Sequence, residues 1–122
     1  MPLQQRLVVA GMSATAAQAS VGTAADQLTA AGTVQGNAAP LGADNNRFTT
    51  VGAGTGCILP AMNPGDSINV FNAGANALLI YPPVGAKINA LGTNAGYSLA
   101  TATPYCEITC ISPTQYHAFQ SA

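Results

Sequence analysis

The chain has 122 residues, enough for one domain, and only 6% of them are Asp, Glu, Lys or Arg, where soluble domains average about 25%. A net charge of −1 and so few cations exclude the basic footprint that nucleic acid needs and the basic stripe that holds an anionic membrane surface. Of the 48% hydrophobic residues, 24 positions are alanine, so a lone subunit is expected to have a thin core and to share burial with neighbours.

Residues 1–27 are Ala, Ser, Thr, Gln and Gly with scattered aliphatics, neither helical nor alternating in pattern. Arg6 precedes the apolar Leu7–Ala10, but Gly11-Met12-Ser13 interrupts that run before a signal-peptide core forms. No apolar run approaches a membrane span. We therefore expect synthesis and retention in the cytoplasm, with residues 1–27 an extended arm ordered against a neighbouring subunit.

Residues 28–122 have a different texture. Short apolar runs, separated every eight to twelve residues by Gly, Asn, Asp and Pro, predict an all-β domain, an antiparallel β-sandwich of jelly-roll type. The predicted strands are Leu28–Gln35, Asn46–Val51, Gly56–Leu59, Ser67–Asn72, Ala77–Tyr81, Lys87–Ala90, Tyr97–Ala100, Tyr105–Ile111 and Gln115–Gln120. Ser67–Val70 alternates cleanly, with Ile68 and Val70 on one face. Asn72-Ala73-Gly74-Ala75-Asn76 then reads as a hairpin loop into Ala77–Tyr81, which Pro82-Pro83 ends because proline donates no ladder hydrogen bond. Asn63–Asp66 is a turn by composition, and Asn94-Ala95-Gly96 resembles the turn at Asn72. In Tyr105–Cys110, Cys106, Ile108 and Cys110 share the core face.

Few residues could carry chemistry. Val51–Gly56 is glycine-rich, but Cys57-Ile58-Leu59-Pro60 follows it where a phosphate-binding loop needs a helix. Cys57, Cys106 and Cys110 lack paired metal spacing and read as buried free thiols. His117 is the only histidine and reads as an edge or interface residue. Asp26, Asp44, Asp66 and Glu107 are too dispersed to suggest metal ligands, although any two could meet across a cleft as glycosidase carboxylates do. Phe48, Phe71, Phe119 and the four tyrosines are assigned to core packing. The reading is of a non-enzyme, with no catalytic, cofactor-binding or metal-binding residues.

Several stretches together resemble a small family of tailed-bacteriophage head decoration, or cement, proteins. They are Leu28–Thr33, Gly54-Thr55-Gly56 with Leu59-Pro60, Gly65–Asn89 and Asn94–Leu99, covering roughly residues 28–102. The Asn-Ala-Gly turn followed by Tyr81-Pro82-Pro83 and Ile88-Asn89 is the most specific part. The resemblance implies a β-sandwich that trimerises on the exterior of the virion head and stabilises the lattice of the major capsid protein. A charge-poor β trimer also fits a second class, the receptor- or glycan-binding module of a tail or head fibre.

Overall fold

Period-two alternation decides which side chains of this all-β chain face inward. A computed structural model describes residues 22–101 and 105–120. Its strands are β1 (Ala24–Thr29), β2 (Ala39–Pro40), β3 (Asn45–Thr50), β4 (Gly56–Ile58), β5 (Ser67–Asn72), β6 (Leu78–Tyr81), β7 (Lys87–Ile88), β8 (Tyr97–Leu99), β9 (Tyr105–Ser112) and β10 (Gln115–Gln120). Ile68 and Val70 of β5 point inward, as do Cys106, Ile108 and Cys110 of β9 and Tyr116 and Ala118 of β10. They meet Cys57, Leu78, Ile80 and Leu99 from the other sheet in one core.

The six-stranded sheet runs β1-β3-β5-β9-β10-β7, and the four-stranded sheet runs β2-β4-β6-β8. From β1 to β6 the chain alternates between them, one strand in each. Successive strands of one sheet therefore run the same way, so β1, β3 and β5 pair in parallel, as do β2, β4 and β6. Among the described strands, β5–β9, β9–β10 and β6–β8 are the antiparallel pairs. The predicted all-β class holds, and its antiparallel pairing is corrected to two mixed sheets built on a parallel coil.

The same alternation overturns the predicted hairpin. Asn72–Asn76 does not return the chain beside β5; it carries it across into the other sheet. Asn72 holds this arch from within: its side-chain nitrogen lies 2.9, 3.1 and 3.1 Å from the carbonyl oxygens of Asn76, Leu99 and Ala100, and its Oδ1 accepts from Gly74 N at 3.0 Å. The glycine-rich Val51–Thr55 is the equivalent arch between β3 and β4, stacked on the first. Asn76 Nδ2 donates to Val51 O at 2.8 Å, and Gly74 lies so close to Val51 that a Cβ there would clash. Asn94 differs from Asn72, adopting a left-handed φ of 65° in a turn.

At the start of the described chain, β1 begins at Ala24, inside the stretch read as an arm. The predicted strand Leu28–Gln35 is corrected too: after Thr29 the backbone turns through Gly32, at a φ of 75°, into a 3-10 turn at Gln35–Asn37. Residues 1–21 of the arm lie outside the described residues.

Candidate interaction face

The outer side of the four-stranded sheet is covered. Residues 31–38 cross it, bridging Ala31 to Gly56, accepting the Tyr81 hydroxyl at Thr33 O and donating from Gln35 Nε2 to Pro82 O at 2.7 Å. Tyr81 is consequently buried although it points away from the core.

No such cover lies over the six-stranded sheet among the described residues. Its outward side chains form rows set by register. Arg47, Phe71 and Tyr105 make one row, Asn45, Asn69, Glu107 and Phe119 a second, and Ser67, Thr109 and His117 a third. Neighbours within the rows bond to each other: Asn69 Nδ2 donates to Asn45 Oδ1 at 2.9 Å, and the Ser67 and Thr109 hydroxyls lie 2.9 Å apart. Phe71 and Tyr105 stack with ring centroids 5.4 Å apart. At the β1 end Arg47 Nη1 donates to Asp26 Oδ1 at 2.8 Å, and this bond holds the Asp26 carboxyl below its usual pKa. At the other end Phe119 is 65% exposed and Ile111 57% exposed.

These positions correct the assignment of every aromatic to the core. Phe48, Tyr81 and Tyr116 are buried, but Phe119 and Tyr105 are exposed and Phe71 is half-buried on the outer face. Alternation could have shown this, because Phe119 keeps step with His117 and not with Tyr116.

The candidate chemical residues are kept apart. Cys106 and Cys110 project into the core, whereas His117 lies on the opposite face of the same sheet, and Cys57 is buried in the other sheet. All three thiols are free. Burial pushes the Cys57 thiol far up and the Cys106 thiol up to about 12, so both stay protonated and non-nucleophilic near neutral pH. Ser67 is two strands from His117, roughly 9.6 Å at about 4.8 Å per strand, beyond hydrogen-bond reach.

Asp44 and Asp66 do line one cleft, of about 350 Å3, beside Leu41, Met62 and Ile68. Each has a structural partner: Asp44 Oδ2 ties its loop to the start of β1, accepting from Thr23 N at 2.8 Å and Thr23 Oγ1 at 3.0 Å, and Asp66 Oδ2 holds its own turn, accepting from Asn63 N at 3.0 Å. Asp66 is thus the turn residue its composition suggested. Among the described residues no three His, Cys, Asp or Glu side chains gather as a metal site. In Val51–Gly56, strand β4 follows the glycines, so no helix N-terminus faces them. No helix among the described residues is long and apolar enough to cross a membrane.

No family model, curated protein or solved structure matches the chain.

Proposed function

We propose that this chain is a bacteriophage head decoration protein, which assembles as a homotrimer on the capsid exterior and clamps the major capsid protein lattice. One observation carries the reading: a six-stranded face that has no cover among the described residues and presents exposed Ile111 and Phe119. Burying such a face against a neighbour removes apolar area from water at about 25 cal/mol per Å2. The resemblance of residues 28–102 to decoration proteins supplies the class of neighbour. Clamping adjacent capsomers needs no reaction, only favourable contact with the expanded shell. Symmetric trimers suit the local three-fold positions between capsomers.

The test is sedimentation of purified protein alone and with empty expanded heads. A concentration-dependent trimer that co-sediments in hundreds of copies per head supports the proposal. A monomer that stays in the supernatant refutes it.

A second reading rests on the row Arg47, Phe71 and Tyr105. Stacked rings flanked by a guanidinium and by the Asn69 and Glu107 side chains are groups that hold a sugar ring, as in a fibre's glycan-binding module. Binding on a glycan array, lost in Phe71→Ala and Tyr105→Ala, would favour this reading over the capsid.

A further inference from the structure

The register of the six-stranded sheet makes its outer face complementary to itself. The second row of outward side chains runs through paired residues from Ala24 and Asn45, by Asn69 and Glu107, to Phe119 on β10. β7 pairs with β10 only at Gln115 and Tyr116, so no described strand lies beyond Phe119 and the row ends in that exposed ring. The opposite end of the same row holds a recess. An apolar groove of about 280 Å3 lies over the outer face of β1, β3 and β5, with Ala24 and Asn45 on one side and Asp26, Arg47 and Phe71 on the other. A benzene ring fits a cavity of about 150 Å3, so the groove has room for a phenyl side chain.

Ring and groove lie at one height along the strands, and that shared height selects a symmetry. Rotation about an axis parallel to the strands preserves height, so it carries Phe119 of one copy to the groove of the next. Phe119 cannot fill the groove of its own chain, because three strand spacings, roughly 14 Å, separate β10 from β3. We propose that three copies turn their six-stranded faces inward about a three-fold axis running along the strands, with Phe119 of each copy seated in the groove over β1 and β3 of the next.

Charge and width fit this arrangement. Glu107, beside Phe119, is exposed and takes part in no ion pair among the described residues. Arg47, at the groove, gives one N–H to Asp26 and keeps others for a second carboxylate. Seating Phe119 brings Glu107 towards Arg47 of the next copy, so the carboxylate enters the interface with a cation near it. The row from Ala24 to Phe119 crosses five strands. At about 4.8 Å per spacing that is a wall of roughly 19 Å, and a triangle of such walls has its axis about 5.5 Å from each, close to half the ~10 Å between packed sheets. Four walls would each stand roughly 10 Å from the axis and leave the centre empty. The inference rests on the trimer proposed above for its copy number, and does not depend on the capsid as partner.

Cross-linking with the full chain tests it. The native thiols Cys57, Cys106 and Cys110 are buried, so the unsubstituted protein serves as the blank for a short bismaleimide. Ala24→Cys and Phe119→Cys proteins, each inert alone, should cross-link when mixed, and the double variant should close into a covalent trimer on a denaturing gel. Within one chain the two positions are four strand spacings apart, roughly 19 Å, beyond the reagent. Phe119→Asp should raise the concentration for half-dissociation in analytical ultracentrifugation roughly 100-fold, as loss of an aromatic anchor at each of three interfaces requires, with circular dichroism unchanged. A wild-type trimer that withstands Phe119→Asp and gives no cross-link overturns this interface and leaves the trimer standing. A covalent dimer as the largest product overturns the three-fold closure, and a wild-type monomer overturns interface and trimer together. A covalent trimer that ignores empty heads supports the interface and refutes the capsid reading alone.

Discussion

Replacing Asn72 by leucine tests the parallel coil where its geometry is most demanding. The carboxamide is fully buried and serves four backbone groups: the carbonyls of Asn76, Leu99 and Ala100 and the amide of Gly74. Its two N–H groups meet three carbonyls, so one is shared. Leucine fills similar space and serves none of them. Leu99 O, the most enclosed, loses its bond at the cost of a buried unsatisfied acceptor, about 1–3 kcal/mol, and each more accessible group costs about 0.5–1 kcal/mol. The expected loss is about 4 kcal/mol, a large part of the roughly 6–18 kcal/mol that holds a chain of this length. Tm should fall by about 12–20 °C. Urea unfolding followed by far-ultraviolet circular dichroism measures the change at constant m-value. Asn76→Ala, which removes one bond to Val51 O, should cost only about 1 kcal/mol. If Asn72→Leu costs under about 1 kcal/mol, the arch is not held by the Asn72 carboxamide as described.

Gly56→Ala should destabilise by about 3 kcal/mol in the same assay, because a Cβ there overlaps the Leu79 carbonyl oxygen and meets the Tyr81 ring at 3.0 Å. Gly36→Ala, with open space at its Cβ, should change stability by no more than about 1 kcal/mol. Phe119→Ser should leave monomer stability within about 0.5 kcal/mol, since the ring is already solvated, yet weaken self-association in analytical ultracentrifugation. Alkaline titration should show stability falling above pH 9. There the unfolded chain loses the Cys106 proton while the folded thiol keeps it up to about 12, so the unfolded state binds fewer protons. The slope is about 1.4 kcal/mol per pH unit for this thiol. Cys106→Ala should remove that contribution, as urea midpoints between pH 9 and 11 would show.

The aromatic positions show how far local pattern carries. Phe119 and Tyr116 are neighbours in type and sequence, and alternation alone separates the exposed ring from the buried one. The outward rows are harder to read, because Asn45 and Asn69 become bonded neighbours only through the parallel pairing of β3 with β5. The same holds for Asp26 and Arg47, whose ion pair depends on β1 lying beside β3.

The amino-acid order by itself determined the strand class, the bounds of β5 and β10, and the inward face of β9. These depend on period-two alternation and on turn residues, which act within a few residues of each other. Only the tertiary structure decided that β5 and β6 belong to different sheets, that the first strands pair in parallel, and that β2 exists at all. Five residues after Asn72 can close a hairpin or span an arch, and the choice falls to contacts made far along the chain. Asn72 reaches Leu99 and Ala100, Gly74 packs on Val51, and a two-residue Ala-Pro strand forms only because β4 is there to pair with it.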